Sequence, residues 1–224
     1  MVEQSGTALL LEQICNHHED KIMPLGAFKA ALMGTAGVTV ESDVVLISDQ
    51  DASSDSEIVF TSGIDSTYKS YIFKFYNVHS SADGAHLFVQ ANVSGASGYN
   101  EPVTSTSFNA HHSEDDSVTS LVYDTGWDQA NNDANSGTGI HTLIKLGTGN
   151  DESGAGEFHL FNPASTTYVK NWYFRGVTNA STDRAYDNFS AGYFNVTGAI
   201  TQIEFSLSTG NIDTGTFKMW GVKT

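Results

Sequence analysis

The chain has 224 residues, with 26 acidic and 10 basic side chains, so its formal net charge is −16. This charge excludes general binding to nucleic acids or to anionic membrane surfaces, because both need basic side chains that can displace counterions from phosphate. Cys15 is the only cysteine, which excludes an internal disulfide and a cluster of thiolate metal ligands.

Residues 1–56 are predicted to form a partly helical arm. Apolar residues cluster within the spans 8–16 and 25–33 at the spacing of short helices. Helices this short are marginal in water on their own, so they are expected to pack either on the β domain of the same chain or on a neighbouring subunit. In the second case the arm would anchor the protein in an assembly. The arm lacks the basic start of a signal peptide, and no apolar run in the chain approaches the about 20 residues of a membrane helix. The residues expected to make the anchoring contacts are Leu9, Leu10, Ile14, Phe28 and Leu32.

The arm ends in a polar segment, residues 49–56, with the sequence DQDASSDS. The carboxylates of Asp49, Asp51 and Asp55 could gather around a calcium ion, but the segment lacks the glycine at the sharp turn of a calcium loop. A solvated linker is therefore the favoured interpretation, and the domain boundary is predicted after residue 56.

Residues 57–224 are predicted to form an all-β domain, because apolar and polar residues alternate in short segments separated by Gly, Asn and Asp. In one such segment Tyr71, Phe73, Phe75 and Asn77 share a face, and in another Ile203, Phe205 and Leu207 do. The pattern favours an antiparallel β-sandwich closed as a jelly roll, with a barrel-like sandwich without jelly-roll order as the alternative. The predicted strands are Glu57–Thr61, Tyr71–His79, His86–Val93, Ser117–Tyr123, His141–Leu146, Gly156–Asn162, Tyr168–Val177, Asn188–Val196, Ile200–Leu207 and Gly215–Val222.

One short segment, AHHSEDDS at residues 110–117, has the side chains of a metal site. Its candidate ligands for Zn²⁺ or Ca²⁺ are His111, His112, Glu114 and Asp115. Adjacent histidines point to opposite faces of a strand, however, and the residue order of a calcium loop is missing. A solvated loop that leads into a strand is the favoured interpretation, so no cofactor is predicted, and Ca²⁺ is the alternative.

The sequence carries no nucleophile elbow and no phosphate-binding loop. Asp151 and Glu152 together with Glu157 could serve a glycosidase, but such groups arise by chance in a chain with 26 acidic residues. The protein is therefore predicted not to be an enzyme, and a polysaccharide-acting enzyme is the least favoured alternative.

Three aromatic residues lie in predicted loops among Asn, Asp and Gly, where a ring has no evident packing role. Most other aromatic residues alternate within strands and are expected in the core. Rings exposed on loops can stack on sugars, so the three are the candidate contacts with a host-surface glycan: Tyr99, Trp127 and Tyr186.

Long stretches of the chain resemble a family of virion structural proteins of marine cyanophages and related tailed bacteriophages. The similar segments are 58–100 (IVFTSGIDSTYKSYIFKFYNVHSSADGAHLFVQANVSGASGYN), 110–117, 150–170 (NDESGAGEFHLFNPASTTYVK) and 200–224 (ITQIEFSLSTGNIDTGTFKMWGVKT). The last segment departs from the family pattern at Thr209, where Ser is usual, and at Trp220, where Tyr is usual. The first fifty residues are outside the resemblance.

The resemblance implies a surface-exposed component of the virion, assembled in the host cytoplasm and located on the tail or on a fibre. It also implies a role in host attachment, with other virion proteins as partners. Phage surface proteins of this kind are usually symmetric homo-oligomers, so a trimer is expected. The alternative within the same class is a capsid decoration protein.

Overall fold

The computed structural model describes residues 43–132, 141–180 and 182–223. In these ranges the chain consists of strands, turns and loops without any helix, so the predicted all-β class is confirmed. No helix in the described ranges is long and apolar enough to cross a membrane. The predicted helical arm, including its residues Leu9, Leu10, Ile14, Phe28 and Leu32, lies outside the described residues.

Thirteen strands occur in the described part of the chain. They are β1 (Val44–Asp55), β2 (Glu57–Phe60), β3 (Ser70–Ser80), β4 (His86–Val93), β5 (Val103–Ser113), β6 (Thr119–Tyr123), β7 (Gln129–Asn132), β8 (His141–Lys145), β9 (Gly154–Phe161), β10 (Lys170–Ala180), β11 (Arg184–Phe194), β12 (Ile200–Leu207) and β13 (Ile212–Val222).

The strands form two antiparallel sheets. The wide sheet has the order β1-β13-β3-β9-β10-β11-β5-β6, with β7 also paired to β5, and the narrow sheet has the order β2-β12-β4-β8. Eight of these strands follow the jelly-roll order, because their pairs are nested like a long hairpin rolled onto itself: β1 with β13, β2 with β12, β3 with β9 and β4 with β8. The predicted jelly-roll sandwich is therefore present.

Two insertions enlarge this jelly roll on one side. Strands β5 to β7 are inserted between β4 and β8, and strands β10 and β11 between β9 and β12. The inserted strands pair with one another and with β9, so they continue the wide sheet beyond the jelly roll. We call strands β10, β11, β5, β6 and β7 the extension.

The core lies between the two sheets and is rich in phenylalanine. Alternation within β3 turns Tyr71, Phe73 and Phe75 inward, where they are buried. The Phe73 ring lies 5.2 Å from the ring of Phe60 and 5.9 Å from that of Phe205, both from the narrow sheet. These edge-on and tilted contacts bury large apolar areas while keeping the rings in favourable mutual orientations.

The predicted alternation along β3 is wrong at its end. Asn77 adopts a left-handed conformation with φ 50°, and the register of β3 with β9 shifts between Phe75 and Val78. This bulge inserts one residue, so Val78 is buried in the core and Asn77 is exposed. A one-residue shift of this kind exchanges the two faces of a strand.

The interpretation of residues 49–56 as a linker is also wrong. Residues 44–55 form β1, which pairs with β13 at the edge of the wide sheet. Asp49 and Asp51 face solvent and have partners on β13: Lys218 Nζ lies 2.6 Å from Asp49 Oδ2, and Thr216 Oγ1 donates to Asp51 Oδ1 at 2.7 Å. An edge strand with one solvated face tolerates this acidic composition.

Strand β5 was not among the predicted strands, because Ser and Asn fill the inward positions that apolar residues occupy in other strands. Its inward residues Ser105, Ser107 and Asn109 are buried although they are polar. On the neighbouring β11 the inward residues Asn188 and Ser190 are also buried, and Ser190 Oγ lies 3.3 Å from Ser107 Oγ. The inner faces of β5 and β11 therefore meet in a polar layer at these positions, which an apolar pattern cannot detect.

Candidate functional site

The outer face of the extension carries exposed apolar side chains. In β10, alternation turns Trp172 and Phe174 into the core and leaves Tyr173, Arg175 and Val177 on the outside. Tyr173 is 42% exposed and Val177 is 51% exposed. Large exposed apolar surfaces are uncommon on soluble proteins and frequently mark contact sites.

Small side chains form the floor of a groove on this face. The pairing of β9, β10, β11 and β5 places Ala155, Val177, Asp187 and Ala110 in one row across the sheet. Together with Ala185 in the next row, these residues line an open groove of about 810 Å³. A second hollow of about 260 Å³ shares Ala155 and Val177 and continues onto β3.

The row next to this floor provides an aromatic wall. Phe108 of β5 and Phe189 of β11 stack face to face, with ring centroids 4.9 Å apart and an interplanar angle of 4°. The guanidinium of Arg175 lies 4.9 Å from the centre of the Phe189 ring, which is within the range of a cation–π contact. Tyr123 of β6, paired with Phe108, extends the row and is exposed.

Charged side chains at the groove are held in pairs. Arg175 donates from Nε to Asp187 Oδ1 at 3.1 Å and from Nη2 to Asp187 Oδ2 at 2.9 Å, and these hydrogen bonds raise the pKa of Arg175. Lys74 Nζ lies 3.1 Å from Glu157 Oε2. Burial by itself would raise the pKa of Glu157, but the hydrogen bond and the charge of Lys74 lower it overall. Lys74 and Arg175 are therefore each paired with a carboxylate of their own.

A second group of rings lies farther along the same face. His159 stacks on Tyr173 with ring centroids 4.4 Å apart, and the Phe161 ring lies 5.7 Å from that of Tyr173. Burial lowers the pKa of His159, although Glu157 opposes the shift. The imidazole is therefore mostly neutral near pH 7, and it acts here as part of an aromatic surface.

The predicted metal ligands are placed differently from the expectation. His111 and His112 lie in β5, so the loop interpretation is wrong for these two residues. Glu114 and Asp115 do lie in the turn that leads into β6. His111 Nδ1 lies 2.9 Å from Asn109 Oδ1, whereas His112 Nε2 lies 3.1 Å from Asp116 Oδ1. Both histidines and Glu114 line the end of the groove, while Asp115 lines a separate polar hollow. Within the described ranges, no three His, Cys, Asp or Glu side chains are grouped so that they could hold a metal ion.

The three predicted glycan contacts lie in different parts of the molecule. Tyr186 belongs to β11 and not to a loop, which corrects the prediction, and its ring lies 5.0 Å from that of His111 at the groove. Tyr99 does lie in a loop, where its hydroxyl donates to Gln202 Oε1 at 2.7 Å. Trp127 is half-buried in the turn between β6 and β7, with its ring 5.2 Å from that of His86.

The carboxylates that could serve a glycosidase are also separated. Asp151 and Glu152 lie in the turn before β9, where Glu152 Oε2 accepts a hydrogen bond from the Gly149 amide at 2.7 Å. Glu157 lies on the outer face of β9 in its pair with Lys74. The turn and the outer face line different hollows.

The sequence contains one signal for the exposed rings that the prediction missed. Residues 172–174 read Trp-Tyr-Phe, and neighbouring residues of a strand face opposite sides. At least one of three consecutive rings must therefore lie outside a two-layered core. The positions of Phe108 and Phe189 have no comparable signal, because each is a single ring among small polar residues.

Comparisons with family models, with curated proteins and with solved structures give no match for this chain. The functional interpretation is therefore based on the groove, on the exposed rings of the wide sheet and on the sequence resemblance described above.

Proposed function

We propose that this protein is a structural component of a tailed bacteriophage virion, exposed on the tail or on a fibre, that takes part in attachment to the host surface. The resemblance of residues 58–224 to virion structural proteins supports the proposed location in the virion. The exposed apolar side chains of the wide sheet, seen among the described residues, support the attachment role, because attachment requires a rigid surface that other molecules can contact.

The observation that carries the attachment role is the exposed outer face of the extension. Tyr173, Phe108, Tyr123 and Val177 expose apolar area there although their strands could carry polar residues at no cost to the core. The extension is absent from the nested eight-stranded jelly roll, so it adds a surface that closing the sandwich does not need.

The charges at the groove favour binding over hydrolysis. A glycosidase needs one carboxyl group with a raised pKa as the acid and a second carboxylate nearby. The pKa of Glu157 is lowered by its ion pair with Lys74, and Asp187 is engaged by Arg175 through both oxygens. The lowered pKa of Glu157 is the opposite of what a proton donor requires.

The proposal is tested on purified phage particles from cells that express this chain. We expect quantitative mass spectrometry to detect the protein at dozens of copies per particle, and immunogold labelling to mark the tail. Several hundred copies spread over the head would instead identify a capsid decoration protein. Absence from purified particles would rule out both.

The predicted anchoring role of the N-terminal arm is tested by deleting residues 1–34. The described residues contain their own two-sheet core, so the truncated protein is expected to keep its β circular dichroism signal and its cooperative melting. It should no longer join particles, and light scattering should show that the expected trimer is lost. A truncated protein that still joins particles would contradict an anchoring arm.

A further inference from the structure

The groove on the outer face of the extension combines features that suit a carbohydrate. Sugar rings present C–H groups on their faces and hydroxyl groups around their edges. The floor of Ala155, Val177 and Ala110 is an apolar surface on which C–H faces can pack. The stacked rings of Phe108 and Phe189 lie in the next row and add apolar surface beside this floor. Donors and acceptors for hydroxyl groups lie at the same groove.

These donors and acceptors are held in fixed positions. The Arg175 guanidinium is bound by both oxygens of Asp187 and rests on the Phe189 ring, so its remaining N–H groups have a defined direction. Rigid polar groups lose little conformational freedom when a ligand binds. The pair therefore provides an oriented donor and acceptor beside an apolar floor, as recognition of a hydroxylated ring requires.

The shape of the groove suits a polymer. The row of floor residues crosses four strands, which corresponds to three spacings of about 4.8 Å, or about 14 Å. The second hollow lengthens this path onto β3, at Lys74 and Tyr76. A groove that is open along its length can accept an internal segment of a chain as well as its end.

The charge of the molecule restricts the occupant further. Lys74 and Arg175 are neutralised by Glu157 and Asp187, and the chain as a whole has a net charge of −16. An anionic polymer would meet no free positive charge at the groove and would be repelled over longer distances. A second copy of this chain would bring two strongly acidic molecules together. An uncharged ligand avoids both costs.

We infer that this groove binds a neutral polysaccharide of the host surface, with Ala155, Val177 and Ala110 as the apolar floor, Phe108 and Phe189 as apolar rings beside it, and the Arg175–Asp187 pair as the hydrogen-bonding group. The inference rests on the proposed attachment role and names its ligand class. Binding at one groove is weak, and the many copies of a virion protein supply avidity.

The test measures retardation of the isolated full-length protein in native gels that contain a soluble polysaccharide. The neutral probes are dextran, laminarin, mannan and galactan, and heparin is the anionic probe. We expect retardation by at least one neutral polymer and none by heparin. No retardation by any of the neutral polymers, or retardation by heparin alone, would overturn the inference.

A blocked groove locates the binding. Val177→Arg places a long side chain across the floor of the groove. We expect it to raise the apparent dissociation constant, measured from the gel retardation, about tenfold or more. Val44→Arg is the matched control, because Val44 is 43% exposed on β1, at the opposite edge of the same sheet. It should bind like the wild type. If Val177→Arg melts at a lower temperature, Ala110→Arg on β5 replaces it.

Two further results would contradict the inference. Unchanged binding by both groove variants would place the ligand elsewhere. A change in the oligomeric state of Val177→Arg, with unchanged polysaccharide binding, would identify the groove as an interface between copies. If the protein is present in particles but binds no neutral polymer, only the polysaccharide inference is contradicted. If it binds a neutral polymer but is absent from particles, only the virion proposal is contradicted.

Discussion

At the scale of single residues, a buried lysine joins two loops at one end of the sandwich. Lys170 is fully buried at the start of β10, and its Nζ donates to the carbonyl oxygens of Tyr168 at 2.7 Å, Val196 at 3.2 Å and Thr197 at 3.3 Å. The ammonium group thus uses its three N–H donors on three backbone acceptors. Burial of the charge lowers the pKa of Lys170.

We expect Lys170→Met to destabilise the protein by about 1–3 kcal/mol, because three backbone carbonyl oxygens lose hydrogen bonds from a charged donor. Lys69 is exposed and provides the control, so Lys69→Met should leave the free energy of unfolding almost unchanged. Urea denaturation of both variants measures the difference. Equal stability of Lys170→Met and the wild type would show that water replaces the ammonium group.

A second prediction at this scale concerns the glutamate at the centre of the narrow sheet. Burial, and to a smaller extent the charge of Glu57, raise the pKa of Glu204 above its ordinary value of 4.5. Glu204 therefore holds its proton more tightly in the native state than in the unfolded state. The wild type loses stability as the pH rises from the ordinary pKa of Glu204 through its raised pKa in the native state. Glu204→Gln should raise the melting temperature at neutral pH, and the gain should vanish below pH 4.5.

The opposite sign is expected for Glu157→Gln, which serves as the control. The pKa of Glu157 is lowered, so its ionised form stabilises the fold above its ordinary pKa, and this contribution is lost as the pH falls. Glu157→Gln should therefore lower the melting temperature at neutral pH. If Glu204→Gln and Glu157→Gln changed stability in the same direction at neutral pH, the assigned causes would be wrong.

At the scale of strands, two glycines allow β9 and β10 to carry a large ring between them. Gly156 and Gly176 are paired across the two strands. A Cβ atom on Gly176 would overlap the ring of Phe174 and would lie 3.0 Å from Ile144 Cγ2 of β8. The Phe174 ring thus fills the space that a side chain would need, and it stacks on Phe75 at a centroid distance of 5.9 Å.

Gly176→Ala should destabilise the protein by about 1–3 kcal/mol, because the added methyl group forces Phe174 out of its position in a well-packed core. Gly126→Ala is the matched control. Gly126 lies in an exposed turn, where an added Cβ would be in ordinary contact with Asp124 Oδ1 at 3.4 Å. Chemical denaturation should therefore separate the two variants, and equal losses of stability would contradict the packing argument.

Two insertions that are distant in sequence meet to form the groove. Strand β5 comes from the connection between β4 and β8, whereas β10 and β11 come from the connection between β9 and β12. Ala110 and Val177 line the same groove although 67 positions separate their residue numbers, 110 and 177. Neither insertion alone provides both the floor and the aromatic wall, since Phe108 and Phe189 belong to different insertions.

At the scale of the whole molecule, the net charge of −16 sets the response to salt. Like charges on a folded chain repel one another more strongly than on the expanded unfolded chain. Screening shortens the range of this repulsion from about 30 Å at 0.01 M salt to about 10 Å at 0.1 M. We therefore expect sodium chloride to raise the melting temperature over this range.

The control for the salt effect is sucrose at equal osmolality, which stabilises proteins without screening charge. At these low concentrations sucrose should have little effect on the melting temperature. A melting temperature that falls with salt would instead indicate that ion pairs such as Arg175–Asp187 contribute more stability than the overall repulsion removes.

The sequence by itself determined the class of the fold and the bounds of its most regular strands. The predicted strands His86–Val93 and Ile200–Leu207 agree with β4 and β12 residue for residue. In both, turn residues flank a segment whose alternation matches the two-residue period of a strand. The local order of apolar and polar residues was sufficient to predict the bounds of these two strands, because one face of each strand packs against the apolar core.

Only the tertiary structure decided which strands belong together and which surface they leave open. Strand β5 has a polar buried face that is satisfied by β11, and the acidic β1 is a strand because β13 lies beside it. Pairing partners distant in the chain supply these contacts, and no local pattern encodes them. For the same reason the sequence placed Tyr186 in a loop and gave no sign of the groove, whose floor and wall exist only where the two insertions pair.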